Sequence, residues 1–196
     1  MKKRNFLLGA GIAAACTAAW PLERRRLHPT PDTMPVLTVF GRISRSNRGR
    51  VDKVHDQLLK RHAVTFDRAF TYTLADLLQL PAVSIAPTLE YDARSHGLSG
   101  PSLLNVLLAA GVDTEAALQV GIRALDGYRV MLPMAQVRER AMIVATHLDD
   151  KPLSIGGLGP LWAVFNPVSV PSLRDKPLTE RYAECPWGTY CIEVAG

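Results

Sequence analysis

Apolar and polar side chains alternate in several short stretches of the chain, and this period of two is typical of β-strands with one buried face. Pro87 lies within one such stretch and predicts a sheet edge or a bulge there. Asp126-Gly127 is typical of a tight hairpin turn between two strands. The strands predicted in this way cover residues 36–43, 83–91, 118–124, 128–132, 142–148, 161–165 and 191–194.

Helical spacing of apolar residues is rarer than alternation. Residues 51–62 have it and predict a short surface helix. Thr73 is a suitable N-cap for a helix over 74–80, which Pro81 ends. The clearest helix follows Ser99-Gly100-Pro101 and ends at Gly111, and a helical turn is expected over 133–140.

These elements predict an α+β protein with a mainly antiparallel or mixed β-sheet and a few short helices. The chain has 196 residues, a length that fits one domain with a sizeable core. Its apolar content of 47% argues against a disordered chain. No apolar run reaches the roughly 18 residues of a membrane span, which excludes a multi-pass membrane protein.

The N-terminus has the pattern of an export signal. Lys2, Lys3 and Arg4 precede an apolar stretch over residues 6–20 that ends among small residues. A signal peptide over 1–19 is therefore expected, and with it a periplasmic or otherwise exported protein. Residues 3–8 resemble a twin-arginine signal with Lys in place of the first Arg. The alternatives are an uncleaved anchor and a lipoprotein attached through Cys16.

The positive charge is concentrated near the N-terminus, beginning with this signal. Residues 20–35 form a linker rich in Pro and Arg. Residues 1–68 hold 14 basic and 5 acidic residues, a net +9, whereas the remainder holds 9 and 13, a net −4. The arginines between Arg42 and Arg50 lack interleaved aromatic residues, so no nucleic-acid partner is expected.

Two of the three cysteines, Cys185 and Cys191, frame a short segment containing Pro and Gly. In an oxidising compartment this spacing favours a structural disulfide. A redox pair is the alternative, although it usually has Cys-x-x-Cys spacing at a helix start. A zinc site would need a second pair of ligands at suitable spacing, and the sequence shows none. No metal ligands are therefore assigned.

Several motifs occur in a characteristic order. They are the opening strand (37–43), the short helix (73–81), a Gly-x-x-Leu-x-x-Val-Leu-x-x-Ala-Gly helix (98–112), an Asp-Gly-Tyr hairpin (126–133) and a Gly-Pro-Leu-Trp segment (159–167). Together they resemble the oxidoreductase molybdopterin-binding domain, which has the sulfite-oxidase-like fold. The resemblance spans about residues 36–194, so the domain is assigned to 36–196, and molybdopterin is the cofactor that it implies.

The resemblance also implies a molybdenum-ligating cysteine after the strand that precedes the Gly-x-x-Leu helix. Residues 83–97 contain no Cys, and Ser, Thr or His cannot replace a thiolate without changing the electronics of the metal. We therefore expect a periplasmic ligand-binding or accessory protein without classical molybdenum catalysis. It would work with a membrane sensor or a redox partner. The alternative is a molybdenum-pterin oxidoreductase of the sulfite oxidase type, with the metal held only through the dithiolene.

The candidate pocket combines a basic loop, aromatic strand residues and a Gly-rich turn. By the resemblance, Arg94 and His96 border the cofactor cleft, where they would bind a pterin phosphate or a small anionic ligand. The other candidates are Tyr128, Gly159, Pro160 and Trp162. The structural alternatives are a solvated loop for the basic pair, core packing for the aromatic residues and a plain connection for the Gly-rich turn.

Overall fold

The computed structural model describes residues 34–196. The predicted signal peptide (1–19), Cys16 and all but the last two residues of the predicted linker (20–35) lie outside the described residues. Among the residues described, no helix is long and apolar enough to cross a membrane.

The described chain is a mixture of short strands and short helices. The strands are β1 (Pro35–Gly41), β2 (Arg48–Gly49), β3 (Arg68–Thr73), β4 (Ala82–Ile85), β5 (Leu98–Pro101), β6 (Gln119–Ala124), β7 (Arg129–Pro133), β8 (Ile143–Ala145), β9 (His147–Leu148), β10 (Lys151–Pro152), β11 (Trp162–Val164) and β12 (Thr189–Ala195). The helices are α1 (Gln57–Arg61), α2 (Leu74–Leu78), α3 (Leu103–Ala109), α4 (Met134–Glu139) and α5 (Pro171–Arg174), with 3-10 helices at Pro167–Ser169 and Leu178–Glu180. The predicted α+β class is confirmed.

The strands form three sheets. The largest has the order β2-β3-β1-β12-β6-β7, the second β10-β9-β5-β4, and β11 pairs with β8 in a third. The pairing of β1 with β12 is parallel, and the other strand pairs of the described chain are antiparallel. The expected mixed, mainly antiparallel arrangement is therefore present.

One main hydrophobic core joins the sheets and helices. Its largest fully buried side chains include Leu77, Leu103, Leu107, Trp162 and Phe165. A second, smaller cluster contains Phe40, Leu59, Val64, Ala69 and Cys191. Alternate residues of β12 contribute to different clusters, since Ile192 and Val194 belong to the main core.

Local signals predicted α2 and α3 well. Thr73 and Asp76 form a reciprocal capping box at the start of α2. Ser102 Oγ accepts a hydrogen bond from Asn105 N at 3.1 Å and caps α3. Gly111 follows α3 with φ +78°, the left-handed conformation that favours glycine.

The predicted helix over 51–62 is shorter in the structure, where only Gln57–Arg61 is helical. Asp52 Oδ1 accepts hydrogen bonds from the backbone of Val54 and His55, both at 2.7 Å, and holds a turn instead. Among the helix residues only Leu59 is buried, so too little apolar surface was available to support a longer helix.

The predicted strand over 83–91 is also wrong beyond Ile85. Because Pro87 has no N–H to donate, the strand cannot continue as a paired strand through it. The chain instead forms a loop over residues 86–97, which we call the wall loop. Tyr91 was expected on a buried face but is 57% exposed, whereas Leu89 is buried.

The predicted disulfide is absent: Cys185 and Cys191 are both free thiols. Cys191 lies on β12 in the smaller hydrophobic cluster, whereas Cys185 belongs to the main core. Proximity along the sequence suggested the bond, but strand alternation directs Cys191 into the cluster that does not contain Cys185.

Candidate functional site

The wall loop is a closed, internally bonded unit. Leu89 N donates to Arg94 O at 2.9 Å, and His96 N donates to Pro87 O at 3.1 Å. The Leu89 side chain is 3% exposed and anchors the loop in the core. These contacts fix the backbone that presents Glu90 to a neighbouring pocket.

His96 ties the wall loop to the turn between β9 and β10. Its Nδ1 lies 2.6 Å from Asp149 Oδ2 and its Nε2 lies 3.0 Å from Asp92 Oδ2. Asp149 Oδ1 also accepts a hydrogen bond from Gly97 N at 2.8 Å. Hydrogen bonds that His96 donates to Asp149 and then to Asp92 raise the pKa of His96, and the same bonds lower the pKa of each carboxyl.

The pocket beside the wall loop has a volume of about 150 Å³ and is lined mainly by aromatic and acidic side chains. We call it the aromatic pocket. Its lining consists of Glu90, Tyr91, Ala124, Asp126, Tyr128, Trp162, Thr179, Tyr182, Ala183, Cys185, Pro186 and Trp187.

Buried residues of the main core form the floor of the aromatic pocket. The rings of Trp162 and Tyr182 lie 5.9 Å apart in a tilted arrangement. Trp162 Nε1 donates to Cys185 O at 2.8 Å, and Tyr182 Oη donates to Thr88 O at 2.6 Å. The second bond joins the floor to the wall loop, so the two sides of the pocket are held together.

Three exposed aromatic side chains form the rim of the pocket: Tyr91, Tyr128 and Trp187. Tyr128 Oη donates to Ala183 O at 2.5 Å, which connects the hairpin of β6 and β7 to the segment before β12. Asp126 Oδ1 accepts from Tyr128 N at 2.8 Å and stabilises the turn that carries both side chains.

The charged side chains of the aromatic pocket are acidic. Glu90 and Asp126 line it, and its lining contains no Lys, Arg or His. Burial raises the pKa of Tyr91, and the Glu90 carboxylate raises it further. Burial raises the pKa of the Cys185 thiol to about 12, so this sulfur stays protonated at neutral pH.

The structure divides the candidate residues predicted from the sequence. Tyr128 and Trp162 line the aromatic pocket together. Arg94 and His96 belong to the wall loop but not to the lining of the pocket, and Arg94 is exposed. Both ring nitrogens of His96 are already hydrogen-bonded to the carboxylates of Asp92 and Asp149.

Gly159 and Pro160 also lie outside the aromatic pocket. A Cβ at Gly159 would approach Ser154 N to 2.6 Å, so close backbone packing requires glycine there. Pro160 borders a second, more apolar cavity of about 310 Å³, together with Leu125 and Tyr190. The Gly-rich turn therefore has a packing role in the described structure.

Sequence reasoning missed several lining residues, notably Glu90, Asp126, Thr179 and Tyr182. Glu90 was assigned to a strand that ends earlier, and Thr179 and Tyr182 belong to a segment without a clear pattern. The available signal for these residues was the local sequence. Glu90 and Tyr91 closely follow Pro87, and Trp187 precedes the last strand. Only the fold shows that these segments meet.

The described residues contain no group of three or more His, Cys, Asp or Glu side chains arranged to hold a metal ion.

No family model matches the sequence, and no curated protein matches it. Among solved structures, the chain is similar to the sulfane dehydrogenase SoxCD from Paracoccus pantotrophus, with a TM-score of 0.54 and 12% sequence identity. The similarity covers 86% of this chain but only 40% of that one. It shows a shared fold, in agreement with the sulfite-oxidase-like fold that the order of motifs predicts.

The aromatic pocket does not fit a molybdenum cofactor. The wall loop occupies the position after β4 where the resemblance implies a ligating cysteine, and it contains none. The thiol at the pocket, Cys185, belongs to the buried main core and not to the wall loop. The lining of the pocket also holds two carboxylates and no cation, whereas a pterin phosphate needs positive charge.

Proposed function

We propose that the protein is an exported ligand-binding or accessory protein built on the sulfite-oxidase-like fold, without classical molybdenum catalysis. The observation that carries this proposal is the aromatic pocket beside the wall loop. From the stretch in which the resemblance implies a metal thiolate, the wall loop contributes Glu90 and Tyr91 to the pocket. Such a lining can bind a small molecule, but it supplies no soft ligand for molybdenum.

The pocket is preorganised for binding. Its floor, wall loop and rim are joined by hydrogen bonds from Trp162, Tyr182 and Tyr128 to backbone carbonyls. A ligand would therefore enter walls that are already ordered, which reduces the entropy lost on binding. Rigid binding, rather than chemistry at a reactive group, is the activity that this geometry favours.

The exported location and the partners belong to the same proposal. The basic and apolar N-terminus supports delivery to the periplasm. A membrane sensor or a redox protein is the partner we propose there. A small anionic ligand at Arg94 would lie outside the aromatic pocket, because the pocket lining carries no cationic side chain.

The second candidate function is a molybdenum-pterin oxidoreductase. The shared fold with a sulfane dehydrogenase favours it, as does the resemblance of residues 3–8 to a twin-arginine signal. In that case the metal would be held without a protein thiolate.

Metal content separates the two functions. The full chain, with its own N-terminus, would be produced in a bacterial host that makes molybdenum cofactor and purified from the periplasm. We expect substoichiometric molybdenum by plasma mass spectrometry and no pterin fluorescence after acid oxidation. One molybdenum atom per chain would overturn the binding-protein proposal. An authentic periplasmic molybdenum enzyme purified in parallel controls for cofactor supply.

A further inference from the structure

The charges of the side chains that line the aromatic pocket indicate what kind of ligand it binds. This inference rests on the proposed binding function. Glu90 is half-buried at the wall of the pocket, and Asp126 lies at its rim. Because no cationic side chain belongs to the lining, the two carboxylates have no partner charge within the pocket. Because Glu90 is half-buried, solvent screens its carboxylate less than it screens one on an open surface.

Aromatic faces strengthen this preference for positive charge. Tyr91, Tyr128 and Trp187 surround the opening, while Trp162 and Tyr182 form the floor. The face of each ring carries the negative part of its quadrupole and attracts a cation. Several rings around one cavity are the arrangement by which proteins recognise quaternary ammonium groups.

The hydrogen-bond donors of these rings are largely used within the protein. Tyr128 and Tyr182 donate their hydroxyls to the carbonyls of Ala183 and Thr88, and Trp162 donates its indole N–H to Cys185 O. An anion would therefore meet carboxylates and ring faces with few donors to satisfy it.

The size of the pocket restricts the ligand further. A dry protein cavity of about 150 Å³ accommodates benzene, and the aromatic pocket has about this volume. A trimethylammonium group is of comparable bulk, whereas a fused pterin with its side chain is much larger.

From charge, ring faces and volume together, we propose that the aromatic pocket binds a small organic cation with a methylated or primary ammonium head group. The exposed ring of Trp187 would contact the head group above the floor formed by Trp162 and Tyr182, and Glu90 and Asp126 would supply the counter-charge. The remainder of the ligand would leave through the rim toward solvent.

Three probes of nearly the same shape test the sign of the preferred charge. Choline is the cation, 3,3-dimethylbutan-1-ol its neutral analogue and 3,3-dimethylbutanoate an anion of similar bulk. Their affinities for the full chain would be measured by isothermal titration calorimetry, with tryptophan fluorescence as a second readout. We expect choline to bind about tenfold more tightly than the alcohol, and the anion to bind most weakly.

Two substitutions locate the binding. Glu90→Gln preserves the shape of the side chain, and we expect it to weaken choline binding about fivefold to tenfold without changing the affinity for the alcohol. Glu180→Gln is the matched control, because Glu180 neighbours Thr179 but does not line the pocket. Circular dichroism would verify that both variants fold.

The outcomes separate this inference from the proposed function. Tighter binding of the alcohol or the anion at the pocket would overturn the cation preference and leave a binding protein. Equal losses of choline affinity in Glu90→Gln and Glu180→Gln would overturn the assignment of the binding site to this pocket. Failure of all three probes to bind would overturn the inference. The proposed function itself would fall only with stoichiometric molybdenum in the purified chain.

Discussion

His96 shows how one side chain can hold two segments together. Its ring nitrogens contact Asp92 in the wall loop and Asp149 in the turn after β9. The sequence suggested an anion-binding role for this residue, but the two carboxylates already occupy it. His96 therefore positions the wall of the aromatic pocket, and its protonation state is linked to the stability of that wall.

The first prediction concerns the pH dependence of stability at His96. Its pKa is raised above the ordinary 6.5, so its stabilising contribution is complete below pH 6.5 and is lost as the pH rises through the raised pKa. The pKa values of Asp92 and Asp149 are lowered from 3.8, so their contribution is present above pH 3.8 and is lost as the pH falls through the lowered values. The free energy of unfolding, measured with urea, should differ most between wild type and His96→Gln from pH 3.8 to pH 6.5.

An NMR titration should place the pKa of His96 above 6.5 in the folded chain. A stability difference between wild type and His96→Gln that does not change from pH 5 to pH 8 would contradict the assigned role.

The second prediction concerns the two buried thiols. In a Cys16→Ser chain, Cys185 and Cys191 should resist a thiol reagent while the protein is folded, because both are buried and protonated. After denaturation without reductant, two thiols per chain should react. Absence of reactive thiols in the denatured chain would show that a disulfide forms after all.

At the scale of elements, the Gly-x-x-Leu motif has a packing explanation. Gly100 lies in β5, where a Cβ would come within 2.0 Å of Val144 O and 2.9 Å of Ala145 Cα in β8. Only glycine permits this approach of two strand backbones. The contact places α3 directly against the strand that pairs with β11, which carries Trp162 of the pocket floor.

The third prediction tests the close contact between the backbones of β5 and β8. Gly100→Ala should destabilise the protein by about 1–3 kcal/mol, since neither backbone can move freely out of the way. Gly49→Ala is the control, because a Cβ there meets no atom within 4 Å, and its effect should stay within about 0.5 kcal/mol. Chemical denaturation measures both. A Gly100→Ala variant as stable as Gly49→Ala would show that β5 and β8 can move apart without loss of stability.

At the scale of the whole molecule, the last strand completes the largest sheet. β12 lies between β1 and β6, so the two ends of the described chain meet at the centre of the sheet. Two arginines of the basic region that the structure describes, Arg45 and Arg48, also pack within the domain. The guanidinium groups of Arg45 and Arg48 lie 5.6 and 5.3 Å from the ring centres of Phe70 and Phe66, and Arg48 pairs with Asp56. These arginines are engaged within the protein.

The fourth prediction follows from the central position of β12. A chain ending at Gly188 should fail to fold, because β1 and β6 would each lose one of their two neighbouring strands and the core would lose Ile192 and Val194. Far-UV circular dichroism and solubility measure this. Glu193→Gln is the control, since it removes only a partly exposed ion pair with Arg129, worth about 1 kcal/mol or less. A folded truncated chain would contradict the prediction.

Features that depend on neighbouring residues could be predicted from the sequence. The N-cap at Thr73, the left-handed Gly111 and the hairpin at Asp126-Gly127 are local, and the structure contains each of them. The α+β class followed from the same alternating and helical periods. The order of motifs, although each is short, also indicated the fold that the solved sulfane dehydrogenase shares.

Tertiary structure alone decided which residues form the site. Glu90, Tyr128, Trp162 and Tyr182 are far apart in the chain and come together only because the sheets pack on one core. It also separated Cys185 from Cys191, which the sequence places close together, because alternation along β12 turns Cys191 into the smaller cluster. Local patterns record the conformation of a segment, but a binding site depends on contacts between segments, and no period or turn signal encodes those contacts.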